Sequence, residues 1–348
     1  MAIDLFCGAG GLSLGLRQAG FHVAAAVDCD PLACNAYRLN HPLATVIQAD
    51  IARLGGRYLL RRAGAARADL LAACPPCQGF STVRTRNGRR QCDEPQNDLV
   101  LEVLRMAAEL RPAAVLLENV PGLARDPRYR AVERGLSAMG YRFRSHVLDA
   151  ADYGVPQRRR RLLLLASRFA MPRLAAPARQ RRTVRQAIGR ARSLRAGHDA
   201  LHNYTTNHSP RVMDMIRLIP RDGGSRAALG TAEQLACHLR CDGFRDVYGR
   251  MAWDEPAPTI TGGCINPSKG RFLHPEVDRA ITLREAALLQ TFPRSYRFPL
   301  TQGRYAVAKL IGNALPPEFA RRHALALLAT IGRRRRTGRG GGRRLWTT

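Results

Sequence analysis

The run Cys74-Pro75-Pro76-Cys77, continuing as Gln78-Gly79-Phe80-Ser81, is where chemistry suggests itself first in this chain. Three kinds are open to it. Cys74 and Cys77 could form half of a zinc site with Cys237 and Cys241, although a C-x3-C pair opposite a rigid Pro-Pro is poor zinc spacing. They could form a redox dithiol, but tandem prolines and a long polar loop do not suit a motif that opens a helix. Alternatively, Cys77 could be a nucleophile presented at the end of a strand by a stiff turn. A free thiol with a pKa of ~8.5 is only a small fraction thiolate at pH 7, yet cysteine is the strongest ordinary side-chain nucleophile for an electron-poor ring carbon.

Two more groups could serve such a nucleophile. Glu118 follows the apolar Val115-Leu116-Leu117 and leads into Asn119-Val120-Pro121-Gly122. A carboxylic acid there faces the same edge as Cys77. Kept protonated by apolar surroundings, it could donate to a ring nitrogen and activate a heterocycle; it could also simply cap a helix or turn. Gln157-Arg158-Arg159-Arg160-Arg161 runs into the apolar stretch 162–165. In an extended chain Gln157, Arg159 and Arg161 share one face, and Arg158 and Arg160 the other. Arginines entering a buried strand need acceptors, because desolvated guanidinium is costly. One face is expected to meet the active site and the other phosphates.

A ligand pocket is suggested by Phe6-Cys7-Gly8-Ala9-Gly10-Gly11-Leu12, directly after the first apolar run. Glycines let the backbone approach a ligand, and the following helix offers free N–H groups. The dinucleotide fingerprint would want a third glycine at Ser13, so NAD is disfavoured and a compact nucleoside fits better. Asp28, after the second apolar run, could accept both ribose hydroxyls. Asp50, in Ala49-Asp50-Ile51, could accept from an adenine amino group. Both acids could equally cap the helices that follow. Taken together, they favour an adenosine-type cofactor.

The elements that must hold these groups follow from periodicity. Residues 2–6, 23–27, 45–48, 70–73, 113–117 and 162–166 read as strands, most of them continuously apolar. Helical patterns lie at 12–19, 31–39, 99–110 and 129–139. This alternation predicts an α/β fold, a parallel doubly wound sheet with ligands at the strands' carboxyl ends. From 170 to about 279 the chain is rich in Arg, Pro and Gly and reads as a separate loop-rich module. Helical periodicity returns at 282–289, 305–310 and 317–331, and these helices should pack back on the first domain. The Arg/Gly-rich stretch 333–348 reads as a disordered tail.

Composition bounds the function classes. The 348 residues accommodate a large α/β domain and a smaller one. With 45% hydrophobic and 24% charged residues, no apolar run approaching the ~20 needed to span a bilayer, and no signal-peptide pattern, a membrane or secreted protein is excluded. The nine scattered cysteines read as reduced cytosolic thiols. The balance of 56 basic to 27 acidic residues, a net charge of +29, favours a polyanionic partner such as DNA or RNA. Only Lys269 and Lys309 are lysines, so mutational bias in a GC-rich genome could also produce the excess of arginine.

In this order, the motifs closely resemble the cytosine-5 DNA methyltransferase family. The likeness extends from residues 4–16 to 311–317. Pro-Pro-Cys-Gln, Glu-Asn-Val, Gln-x-Arg-x-Arg and Gly-Asn-Ala together are far more specific than any one of them. Residues 248–261, with Pro258-Thr259-Ile260-Thr261, and 266–275 also look familiar. The resemblance implies a mostly parallel, Rossmann-like methyltransferase sheet and a smaller target-recognition domain. Residues 1–180 would be catalytic and cofactor-binding, 181–279 would recognise the target, 280–332 would return to the catalytic domain, and 333–348 would be a basic disordered tail.

The implied reaction is methyl transfer from S-adenosyl-L-methionine to C5 of a flipped cytosine in a specific double-stranded DNA sequence, with Cys77 bonded to C6 midway. Glu118 would hold the N3/N4 edge and Arg161 the O2 side, with Gln157 and Arg159 bracing the strand and the closing loop. Phe6, Gly8, Gly10, Gly11 and Leu12 would border the cofactor, Asp28 its ribose, and Asp50 and Ile51 its adenine. Leu99 and Asn313 would complete the pocket, and the loop 79–97 would close over DNA. The expected protein is a cytoplasmic monomer, nucleoid-associated in a prokaryote, without metal or membrane, and a cognate restriction endonuclease beside it is left open. Three features depart from the family: Cys74 replaces a frequent glycine, Cys29 replaces a frequent bulky adenine-stacking group, and the chain starts almost at the first strand.

The alternatives are RNA cytosine-5 methylation and a DNA-binding protein with a decayed site. Against them, the tRNA-acting branch's signature is absent before residue 281 and every expected catalytic residue is present. A zinc cytidine deaminase would need H-x-E ahead of P-C-x-x-C; here His274-Pro275-Glu276 comes after, and Ala73 replaces the proline.

Overall fold

The computed structural model describes residues 1–76, 95–189, 199–203, 208–234 and 246–337. Its first part runs β1 (Ala2–Leu5), α1 (Gly11–Gln18), β2 (Val23–Asp28), α2 (Pro31–Asn40), β3 (Thr45–Gln48), α3 (Gly56–Arg62) and β4 (Leu70–Ala73). It continues with α4 (Leu99–Leu110), β5 (Ala114–Asn119), α5 (Pro127–Ala138), β6 (Arg142–Asp149) and β7 (Arg160–Ser167). The strands form one sheet of order β3-β2-β1-β4-β5-β7-β6. Pairing is parallel from β3 through β5, while β7 runs antiparallel to both its neighbours. The order reverses between β1 and β4, which opens a crevice at their carboxyl ends, where doubly wound sheets bind ligands.

Side chains alternate across the sheet, and both faces are covered. Ile3, Leu5, Leu71, Val115 and Leu117 pack against Val103 and Met106 of α4 and Val132 and Leu136 of α5. Ala2, Leu70, Ala72, Leu116 and Leu163 pack on the opposite face against Leu12 and Leu16 of α1. Burial on both faces is why most of these strands read as unbroken apolar runs, with the buried Asp4 interrupting β1. Asp30 and Asp126 accept from backbone N–H groups at the starts of α2 and α5, and a proline follows each of them.

One strand carried no apolar run. In β6 the exposed Arg142, Arg144 and His146 alternate with half-buried Phe143, Ser145 and Val147. It lies at the sheet's edge, where outward charges block further strand pairing.

The remaining helices are α6 (Val184–Ile188), α7 (Pro210–Leu218), α8 (Leu283–Leu289), α9 (Gly303–Asn313) and α10 (Pro317–Thr337). Phe319, Ala320, Ala324 and Leu327 of α10 join the α1 face of the sheet, so the last helix returns to the first domain as its pattern predicts. It continues through Thr337, so the segment expected to be disordered from Arg333 begins as helix; residues 338–348 lie outside the described residues. Val184, Trp253, Ile260 and Phe272 share an apolar cluster with Leu283, Leu289 and Ile311, on both sides of the boundary expected at residue 280. Met215, Ile216, Ile219, Tyr248 and Leu273 form a smaller cluster. Beside it, the fully buried Arg250 donates to the carbonyl oxygens of Ile216, Ile219, His274 and Val277 and to Asp278. Among the described residues no helix is long and apolar enough to cross a membrane.

Candidate active site

A cavity of about 680 Å³ occupies the crevice at the carboxyl ends of β1, β2, β4 and β5. Phe6, Gly8, Gly11 and Leu12 line it from the first turn, Asp28 from the end of β2, and Asp50 and Ile51 from beyond β3. Leu99 at the start of α4, Glu118 on β5, Arg159 and Arg161 around the start of β7, and Asn313 at the end of α9 complete the wall. Residues some 300 positions apart in sequence therefore meet in one space, as the motifs predict.

The first turn is built on left-handed backbone. Phe6, Gly8 and Gly10 have φ of 58°, 52° and 91°. Gly8 N donates to Asp28 Oδ2 at 2.8 Å, and Asp30 N donates to Oδ1 at 2.9 Å. Burial pushes the Asp28 carboxyl pKa up, against these hydrogen bonds. A Cβ on Gly8 would meet nothing within 4 Å, so its side is open.

Gly10 is different and does not line the cavity. A Cβ there would lie 2.4 Å from His41 Nε2 and 2.7 Å from Tyr296 Oη, so Gly10 is needed for packing. Gly11 is needed in the same sense, since its Cβ would lie 2.4 Å from the carbonyl oxygen of Leu315. Ser13, at the position of the missing third glycine, donates to Asp4 Oδ2 at 2.6 Å and accepts from Tyr37 Oη at 2.6 Å. Asp50 both lines the cavity and caps the turn Ile51–Arg53, accepting from Ala52 N at 3.0 Å.

On the other side of the cavity, β4 and β5 run parallel with Ala73 beside Leu117. Continuing that register brings Cys74 to Glu118 and Pro75 to Asn119. Arg161 Nε lies 2.9 Å from Glu118 Oε1, and both side chains are nearly buried. The Glu118 carboxyl thus sits in an ion pair, which the apolar residues before it in sequence do not announce. Burial, and then the charge of Glu118, push the Cys74 thiol well above its usual pKa, so it stays protonated. Asn119 Nδ2 donates to the carbonyl oxygen of Pro75 at 3.1 Å. Cys77 itself lies outside the described residues, as do Cys237, Cys241 and positions 79–94 of the expected closing loop.

The arginine run has the predicted alternation, with Gln157 and Arg159 buried and Arg158 and Arg160 exposed. Arg159 donates through Nη1 to the Ile260 carbonyl at 3.0 Å and through Nη2 to the Gly312 carbonyl at 2.9 Å. Gln157 stands behind the wall and does not line the cavity. Its Oε1 accepts from Ile260 N at 2.7 Å, and its Nε2 donates to Gln290 Oε1 at 2.9 Å. Both side chains are struts that fix the segment around Ile260.

That segment supplies site residues the sequence did not assign: Thr259, Ile260, Thr261 and Gly262 all line the cavity. Gly312 makes this contact feasible, because a Cβ there would lie 2.2 Å from the Thr261 carbonyl carbon. The signal was present in Pro258-Thr259-Ile260-Thr261 and in the glycine before Asn313, but nothing in the sequence says that the two segments touch. Asn119, also cavity-lining, was visible only as the neighbour of Glu118, and Cys74, weighed in the sequence as a metal or redox cysteine, lines the cavity as well.

Comparison with known proteins gives a concordant result. The family model for C-5 cytosine-specific DNA methylase matches residues 1–329. The type II methylase M.HgiDII of Herpetosiphon aurantiacus is 38% identical over 335 residues, covering 92% of each chain. The type II methyltransferase M1.HphI of Haemophilus parahaemolyticus is 33% identical, covering 94% of this chain and 86% of that one. Among solved structures, a prophage-encoded E. coli protein assigned as a DNA modification methyltransferase superposes with a TM-score of 0.72 at 23% identity. The match spans 95% of this chain and 99% of that one, and at this identity it speaks for the fold.

Proposed function

The chain belongs to the C-5 cytosine-specific DNA methylase family and is a DNA cytosine-5 methyltransferase; we propose that it acts on a cytosine extruded from duplex DNA, through a covalent bond from Cys77 to C6. The observation that carries this reading is the meeting of the Glu118–Arg161 pair, the Pro75-Pro76 segment and the Asp28 carboxylate in one cavity.

The cavity suits S-adenosyl-L-methionine. Asp28 offers carboxylate oxygens for ribose hydroxyls, Asp50 an acceptor, Phe6, Ile51 and Leu99 apolar surface for a flat ring, and Gly8 an unobstructed backbone. When bound, this group supplies a methyl carried on a sulfonium.

The protein's own groups do the rest. The Cys77 thiolate adds to C6, forming an S–C bond and moving the C5–C6 electron pair to C5, the carbon that accepts the methyl. The C5 proton then leaves to a base, the S–C6 bond breaks, and the ring regains its double bond. Glu118 holds the N3/N4 edge, and Arg161 braces Glu118 while reaching the O2 side. Arg159 and Gln157 hold the Ile260 segment that closes one wall.

Extruding the base costs a few kcal/mol, which phosphate contacts from the basic surface offset, with steep salt dependence as the consequence. Within 181–279, residues other than the Thr259–Gly262 cavity wall read the target sequence, and the enzyme serves a type II restriction–modification system. The test is transfer of tritiated methyl to duplex DNA, run beside a tRNA competitor. Transfer to duplex DNA that is lost in Cys77→Ser with DNA binding retained supports the reading. Undiminished turnover by Cys77→Ser refutes the nucleophile, and preference for tRNA refutes the substrate.

A further inference from the structure

The segment that leaves β4 has an unusual backbone. Pro75 and Pro76 carry no N–H, so this stretch can donate no ladder hydrogen bond to a neighbouring strand. The chain must still be held at a fixed distance from β5, because Cys77 follows Pro76 directly and Glu118 stands on β5. Only acceptors are available on the proline pair, and a donor must come from outside.

Asn119 supplies it. The side chain is almost fully buried, at 3% exposure, and lines the cavity beside Glu118. Its Nδ2 donates to the Pro75 carbonyl oxygen at 3.1 Å, and its Oδ1 accepts from Val120 N at 2.8 Å. The second bond fixes the amide's orientation, so that the donor rather than the acceptor faces Pro75. One amide thus clamps the proline segment that follows β4 onto the end of the strand that carries the carboxylate.

We propose that Asn119 is a positioning residue for methyl transfer: by donating to the Pro75 carbonyl it ties the Pro75-Pro76 segment, which in sequence immediately precedes the proposed nucleophile, to the strand that carries Glu118. This rests on the covalent mechanism proposed above. Asn119 itself does not react. Asp at this position would keep the shape and the acceptor toward Val120, but would set an oxygen against the Pro75 oxygen unless the carboxyl carried a proton. An aspartate there therefore restores the clamp only when protonated.

The experiment measures single-turnover adduct formation on DNA containing 5-fluorocytosine, with S-adenosyl-L-methionine present, for wild type, Asn119→Ala and Asn119→Asp between pH 6 and 8. Binding of S-adenosyl-L-methionine and thermal unfolding are followed in parallel. Asn119→Ala should form adduct about 10²-fold more slowly, the loss expected for a misplacement of about 1 Å, and the fall in rate should exceed any fall in S-adenosyl-L-methionine affinity. The rate of Asn119→Asp relative to wild type should rise as pH falls. Should Asn119→Ala fail to fold, the pH trend of Asn119→Asp decides alone. Wild-type rates in both variants, or a flat Asn119→Asp ratio, overturn the positioning role. Absence of adduct in wild type instead overturns the covalent mechanism and is recognised as such.

Discussion

Arg161 Nε lies 2.9 Å from Glu118 Oε1, joining the antiparallel strands β5 and β7 at the lip of the cavity. The side chains are 14% and 9% exposed, so little water screens the pair. Truncating one partner leaves the other charge nearly buried and alone, which costs about 3–5 kcal/mol. Arg161→Ala should lose stability on that scale. The double variant Arg161→Ala/Glu118→Gln should lose clearly less than the sum of the single variants in urea unfolding, because the two residues interact directly. Additive losses would contradict the pairing. Methyl transfer by Glu118→Gln should fall by about 10²–10⁴-fold, the usual range for a positioned acid–base group.

The glycines of the first turn should separate in their effects. Gly8 has φ 52° and open space around it, so Gly8→Ala introduces backbone strain of about 1–2 kcal/mol and a methyl in the cavity wall. It should weaken S-adenosyl-L-methionine binding with a modest fall in Tm. Gly10→Ala forces a methyl against His41 and Tyr296, away from the cavity, and should lower Tm more while leaving the folded protein's affinity unchanged. Calorimetric binding and thermal melts on both variants distinguish the roles.

Asp4 should leave a mark on the pH dependence of stability. Burial raises its carboxyl pKa from 3.8 to about 7. Between those values the unfolded chain gives up this proton while the folded chain keeps it. The contribution is therefore full below pH 3.8, declines as pH rises, and is gone above about 7. It amounts to at most about 4 kcal/mol. His41 and His274, lowered by burial from 6.5 to about 4, act oppositely, because the unfolded chain binds their protons first. Asp4→Asn should remove the decline, so its stability relative to wild type rises between pH 4 and 7. A constant difference over that range would show that Asp4 does not titrate this way.

Gly312 joins two distant segments. A Cβ there would lie 2.2–2.6 Å from backbone atoms of Thr261 and Gly262, where no flexible side chain can yield. Gly312→Ala should push the Thr259–Thr261 wall off Asn313 and weaken both S-adenosyl-L-methionine binding and methyl transfer, as binding and transfer assays would report. A silent substitution would mean that this wall is not held by the contact.

Much of this was legible in the sequence, for physical reasons. Strands buried on both faces announce themselves as apolar runs, and acids or glycines at their ends mark the crevice. The alternation from Gln157 to Arg161 gave the right faces because a period of two is fixed by the extended chain. What escaped depends on tertiary contact. The edge strand with Arg142 and Arg144 has no apolar run to betray it. Gly10 looks like a ligand glycine until His41 and Tyr296 are seen against it, and the direct pairing of Glu118 with Arg161 shows only once β7 lies beside β5. Thr259–Thr261 enters the site only through its packing on Gly312.

Whether this enzyme works through a sulfur–carbon bond at position 77 can be read by trapping the intermediate. A fluorine at C5 cannot leave as the proton does, so the adduct persists after methylation. Wild-type protein is incubated with S-adenosyl-L-methionine and duplex DNA carrying 5-fluorocytosine, digested, and the cross-linked peptide sequenced by mass spectrometry. A single bond on Cys77 is expected, with the protonated Cys74 three residues earlier unmodified. A bond on Cys74, or methyl transfer from the same preparation to ordinary DNA with no adduct at all on the fluorinated one, would contradict it.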